Sequence, residues 1–143
     1  MSVPHPWQAL SSRPHLTVDF VHLPRPYLGV TDGLTIWLHD RLTQRERRTT
    51  LAHELVHIDR GHTSCQPSDV EASVWREAAR WLLPDIETVG EALAWAHSLD
   101  EAADELWVDC RTLQARLDHL HPAERAYLRR RLTDEPHITE GES

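Results

Sequence analysis

The sequence predicts an α+β fold: a small antiparallel β-sheet packed on a helical core that carries a His-Glu-x-x-His helix, followed by a helical C-terminal subdomain. Two patterns carry this expectation. Apolar residues alternate with period two between Leu16 and Leu38, and from Thr43 onward they recur at helical spacing. With 143 residues, 40% of them apolar and 27% charged, the chain suits one globular domain with a modest core.

Residues 1–15 are rich in Pro and Ser and are expected to form an irregular N-terminal arm. Leu16–Leu23 alternates like a strand, and Pro24 and Pro26 interrupt it. Tyr27–Val30, the turn Thr31-Asp32-Gly33 and Leu34–Leu38 read as a hairpin. Thr43-Gln44-Arg45-Glu46 is a capping box and Gly61 suits the position just past a helix end, so a helix spans about 43–60. Ser68-Asp69-Val70-Glu71 opens a second helix that runs to Leu83 and stops before Pro84. Ser98 caps a further helix. Glu101–Asp109 followed by Thr112–Leu117 has a helix-turn-helix look, with Trp107 where glycine is usually preferred. The tryptophans at 75, 81, 95 and 107 are expected to face cores. Residues 133–143, acidic and aperiodic, are expected to be disordered. The organisation is thus an arm at 1–15, a main domain at 16–97, a helical subdomain at 98–132 and a tail at 133–143.

Composition narrows the function. No stretch is long and apolar enough to span a membrane, and Met1–His15 does not resemble a signal peptide. Two cysteines, Cys65 and Cys110, make no disulfide framework, so a cytoplasmic setting is expected. A net charge of −8 argues against broad nucleic-acid binding.

His53-Glu54-Leu55-Val56-His57 carries the chemistry. Residues four apart share a helix face, so both imidazoles can reach one metal ion, and Glu54, about 100° round the helix, can touch a water on that ion. This is the zinc-hydrolase arrangement. Three fixed positions in five recur by accident, and the chain has 11 histidines to scatter, so context matters. Leu51, Ala52, Leu55, Val56 and Ile58 form an apolar arc opposite His53, leaving the His face to a cleft. A catalytic site needs a third ligand. Glu71 is the candidate, because it shares a helix face with Val74, Trp75, Ala78 and Leu82, where a carboxylate without a partner is costly. The competing reading makes Glu71 the end of a capping box that accepts the Ser68 N–H. Gly61 and His62 stand four and five residues beyond His57, out of register with the astacin-type third ligand. Binding by His53, His57, His62 and Cys65 together would instead give a closed structural site.

Arg48–His57, then Gly61-His62, Glu71 and Ala78–Pro84 together resemble the ImmA/IrrE family of metallopeptidases. The resemblance covers about residues 16–84 and continues more weakly to 132. Trp81 departs from it, standing where an aliphatic residue is usual. The resemblance implies one zinc ion held by His53, His57 and Glu71, with its water activated, and Glu54 as the general base that later passes the proton to the departing amine. A strand such as Leu34–Leu38 would pair with an extended substrate. For the transition-state donor, His39, Tyr27 and His62 remain open. Relatives cleave a helix-turn-helix transcriptional repressor encoded beside them, releasing prophage, mobile-element or stress-response genes. Two rivals stand beside this expectation. One is an anti-repressor that binds its partner without cutting it, with structural or no metal. The other is a DNA reader built on 99–132, against which Asp100, Glu101, Asp104, Glu105, Asp109 and Asp118 outnumber Arg111 and Arg116.

Overall fold

A computed structural model describes residues 5–133, which form seven helices and one three-stranded sheet. The opening arm is not irregular, because Pro6–Ser11 forms a short helix, α1. Pro6 suits the first helical turn, where its missing N–H would have no partner anyway. Ala9 and Leu10 bury against the sheet, and Arg13 ties the segment to Asp59 at 2.6 Å.

The strands are β1 (Thr17–Val21), β2 (Gly29–Thr31) and β3 (Thr35–His39), in the order β1-β3-β2. β2 and β3 form the expected hairpin, with Val30 opposite Trp37. Its turn places Gly33 at φ 99°, and the Asp32 carboxylate accepts from the N–H groups of Leu34 (2.9 Å) and Thr35 (2.8 Å). β1 runs parallel to β3, so the sheet is mixed and not antiparallel as expected. β3 takes the centre because Ile36 and Leu38 are its fully buried pair, while β1 and β2 carry no fully buried residue. Residues 22–28, with Pro24 and Pro26 unable to extend a ladder, cross the end of the sheet and leave the gap that β3 fills.

Helix α2 (Gln44–Asp59) follows. Its capping box forms as expected: Thr43 Oγ1 accepts from the Glu46 N–H, and the Glu46 carboxylate accepts from the Thr43 N–H. Gly61 lies just beyond its end at φ 79°, in the left-handed region. Every residue from Arg48 to His57 is buried, and Thr50, His53, Glu54 and His57 present the one face of the helix that borders a cleft, as expected. Leu51 and Leu55 enter a sheet-side core with Ile36, Leu38 and Leu16. Ala52 and Val56, one position on, enter a second core.

That second core is helical. It joins Val74, Ala78 and Leu82 of α3 (Ser68–Leu82), Val89 of α4 (Ile86–Trp95), Ala102 and Ala103 of α5 (Leu99–Glu105) and Leu113 of α6 (Cys110–Asp118). Helices α5 and α6 therefore share one core with the His-Glu-x-x-His helix. Trp81 packs against both cores, which gives the large side chain a linking role where an aliphatic residue would reach only one. Trp95 and Trp107 are not core residues, at 80% and 44% exposure. Trp95 ends α4, and Trp107 sits in the α5–α6 turn at φ 63°, costly for a bulky residue. Arg48 holds that turn by donating to the Trp107 carbonyl (2.8 Å), and Arg45 donates to that of Val108 (3.1 Å).

The last helix, α7 (Pro122–Thr133), completes the fold, and the stretch expected to be disordered lies, from Asp134 onward, outside the described residues. Arg116 of α6, 1% exposed, anchors the C-terminal helices. It donates to the Leu83 carbonyl (2.7 Å) and makes a two-pronged contact with Glu124 of α7 (3.1 and 2.7 Å), which Arg80 also reaches. Among the described residues no helix is long and apolar enough to cross a membrane.

Hydrogen bonds from Arg116, then Arg80 and the His121 N–H, hold the Glu124 carboxyl well below its ordinary pKa against the opposing effect of burial. A depressed folded-state pKa gives stability that is present above the unfolded value and lost as pH falls. Glu124→Gln is therefore expected to cost about 3 kcal/mol at neutral pH, the penalty of stranding a buried guanidinium. Urea denaturation should show the gap between wild type and variant closing as the pH is lowered below the usual carboxylate range.

Candidate metal centre

The structure brings His53, His57 and Glu71 together. His53 and His57 Nε2 lie 3.2 Å apart, and each is 3.1 Å from Glu71 Oε1. Both rings leave α2 on one face, one turn apart, and Glu71 reaches them from the first turn of α3. A tetrahedral ion with ligands at about 2.0–2.1 Å would need edges of about 3.3 Å between them. The observed triangle is near that size, and its atoms are the hard oxygen and borderline nitrogen donors that zinc takes. The residues fit the ion.

Glu71 does more than close the triangle. Its second oxygen accepts the Gln66 N–H at 3.1 Å, which orients the carboxylate from behind. The Ser68 capping box does not form. The residue before the helix is Pro67, which offers no side-chain cap. Burial pushes the Glu71 carboxyl up, but the Gln66 N–H and the neighbouring histidines outweigh it and hold it below its ordinary value. Burial, then the neighbouring His57, pushes the His53 imidazole down to about 4, against the upward pull of Glu71. A ring that stays neutral at pH 7 keeps a lone pair for a metal.

The two rings are positioned differently. His57 Nδ1 meets His62 Nδ1 at 2.9 Å, so a His57 that ligates through Nε2 donates its other N–H to His62. His62 thus stands behind a ligand, does not line the cleft and is not itself part of the triangle. His53 Nδ1 is buried with no hydrogen-bond partner among the described residues. Its ring is held by packing instead, 4.2 Å between centroids from the indole of Trp75, one turn on from Glu71.

Glu54 is buried on the adjoining face of α2, outside the triangle, beneath β2. A Cβ on Gly29 would meet Thr50 Cγ2 at 2.6 Å and stand 3.3 Å from Glu54 Oε2, so only glycine lets the strand pass this close. Burial, then the charge of Glu71, pushes the Glu54 carboxyl up to about 8. A bound dication would act in the opposite direction.

A cleft of about 850 Å³ opens in front of these groups. β2 and Tyr27 form one wall; Trp75 of α3 with Arg111 and Gln114 of α6 forms another. Cys65 lines it but stands outside the ligand cluster, so the four-ligand closed site is not formed. Of the three donor candidates only Tyr27 lines the cleft. Gly29, Trp75 and Arg111 join the site without a motif of their own. Trp75, four residues beyond Glu71, had a helical-spacing signal that core packing equally explained, and Arg111, 40 residues beyond Glu71, had none.

Among the described residues one other cluster, His22, His39 and Asp40, is close enough to share an ion. There His39 Nδ1 already accepts the Arg41 N–H at 3.1 Å, which leaves the ring proton on Nε2 and no lone pair to offer.

Two outcomes follow from the geometry. In metal-free protein Glu54 stays protonated up to about pH 8 when folded but ionises near 4.5 when unfolded. Between those limits unfolding releases a proton, so this group makes stability fall as pH rises. Glu54→Gln should remove that slope, and in chelator its melting temperature should exceed wild type by about 5 °C at pH 8 and by little at pH 5. His62→Ala should weaken zinc binding by about tenfold or more in chelator competition, through the lost partner of His57.

No protein-family model, no curated protein and no solved structure matches the chain. What this centre does is decided by its own residues.

Proposed function

We propose that the chain is a zinc-dependent endopeptidase that cuts a regulatory protein. The observation that carries this is the position of Glu54: a buried carboxyl adjoining a three-ligand triangle, yet outside it, at the foot of an open cleft. A structural zinc site closes with four ligands and has no use for a base. The resemblance to the ImmA/IrrE family points to a helix-turn-helix transcriptional repressor as the substrate.

His53, His57 and Glu71 would hold the ion. When bound, it supplies Lewis acidity, acidifying water and polarising the scissile carbonyl. Glu54 takes the proton of the attacking water and passes it to the departing amine, a transfer its low-dielectric seat under Gly29 favours over leakage to solvent. The substrate strand adds to β2 and not to Leu34–Leu38, since β3 has neighbours on both sides whereas β2 is an edge strand in the cleft wall.

DNA reading by α6 draws little support from the charges. Of its two arginines, Arg116 is buried against Leu83 and Glu124 and Arg111 lies over the ring of Trp75.

Co-expression with a helix-turn-helix repressor of the kind the resemblance points to tests the proposal by intact-mass analysis. Wild type should yield repressor fragments. Glu54→Gln should keep zinc and fold but leave the repressor whole, and Glu71→Ala should lose zinc as well. An uncut repressor that co-purifies with wild type would favour the non-cleaving anti-repressor.

A further inference from the structure

The cleft holds one cation. Among the described residues lining it, Arg111 alone carries a fixed positive charge, in a chain whose net charge is −8. It projects from the first turn of α6, and its guanidinium carbon stands 4.6 Å from the centre of the Trp75 ring. That indole in turn packs on the His53 ring at 4.2 Å. The two steps hold the guanidinium in register with the ligand triangle, within roughly three residues of extended peptide.

Arg111 has no carboxylate partner among the described residues, unlike Arg13, Arg60, Arg80 and Arg116, each of which is paired. The nearest acid on its own helix that faces the cleft, Asp118, is engaged by the Gln114 amide at 2.8 Å. Stacking on an indole occupies one face of a guanidinium and leaves its edge of N–H donors free. That edge matches a carboxylate in two-pronged geometry. Because Trp75 already restrains the side chain, less freedom is lost when a ligand docks.

We propose that Arg111, braced by Trp75, is a carboxylate-binding subsite of the cleft, which selects substrates with an Asp or Glu side chain, or a chain-terminal carboxylate, close to the bond placed at the metal. The proposal rests on the open-metal-site reading above and adds the chemical class of the substrate. Arg111 is a specificity residue in it, with no part in the proton transfer.

Small chelators test this without any need for hydrolysis. Monohydroxamates of succinic, glutaric, adipic and pimelic acid carry a metal-binding head and a carboxylate at increasing reach, and alkyl hydroxamates of matched length end in methyl. Calorimetry on the zinc-loaded full chain should show one carboxylate length binding about tenfold or more tighter than its methyl partner. In Arg111→Met that advantage should vanish while the methyl series binds as in wild type. In Trp75→Phe, which keeps a ring beneath the guanidinium, it should survive in part. Equal affinities for the two series in wild type would overturn the subsite and leave the metal-site reading standing. Failure of both series to bind zinc-loaded protein would overturn the open site, and the subsite with it.

Discussion

Helix α2 is buried from Arg48 to His57, packed on its flanks and bordering the cleft on its His face, and the rest of the molecule is arranged around that fact. Four consecutive residues, Leu51, Ala52, His53 and Glu54, point about 100° apart into the sheet core, the helical core, the ligand triangle and the underside of β2. The i, i+4 spacing of the two histidines lets them share an ion. The apolar residues beside them decide which way that ion would face. Rolling the helix by one position would send Leu51 and Leu55 out of the sheet core and drive Ala52 and Val56 toward it. The metal face is thus registered by packing on its flanks and not by the ligands themselves. Such a helix has no single apolar stripe, because each face meets a different neighbour.

The same crowding makes the centre electrostatically expensive. His53 and Glu54 are both buried, and burial drives both toward their neutral forms. The Glu71 carboxylate meets both rings at 3.1 Å, and the two ring nitrogens stand 3.2 Å apart. Stability has to come from elsewhere, and the C-terminal helices supply part of it through Arg116, whose guanidinium joins α6 to α7 and to the end of α3. A dication bound there would relieve the centre in one step: it would use the neutral rings, match the Glu71 charge and favour ionised Glu54.

Much of this was legible in local sequence. The capping box at Thr43, Gly61 in the left-handed region, the hairpin turn at Asp32-Gly33 and Glu71 on an apolar helix face are all short-range signals, and each is realised. The misreadings share a different cause. Alternation in Leu16–Leu23 announces a strand without saying which neighbour it will pair with, so the parallel β1–β3 ladder could not be read. An apolar arc on α2 was visible, but its division between two cores depends on contacts with Ile36 and Val74, distant in sequence. Trp95 and Trp107 were assigned to cores on periodicity, yet one ends its helix and the other sits in a turn, where periodicity has no hold on direction. His62 is open as a transition-state donor by sequence, whereas the loop after Gly61 folds it back behind His57.

The helix-turn-helix segment shows most clearly why motif and role separate. Its sequence marks are realised: Ser98 caps α5, Asp109 caps α6, and Val108 is buried in the turn. In a DNA reader the second helix must stand clear of the body to enter a groove. Here α6 packs on α3, with Leu113 in the helical core and Arg116 sealed beneath Glu124. The turn itself is clamped from α2, through Arg48 on the Trp107 carbonyl and Arg45 on that of Val108. One face of α6 is thereby spent on the fold, and Arg111 and Gln114 turn toward the cleft. A segment with the local grammar of a nucleic-acid module forms a wall of the cleft, because the same buried Ala, Val and Leu positions that join its two helices also enter the core shared by α2 and α3.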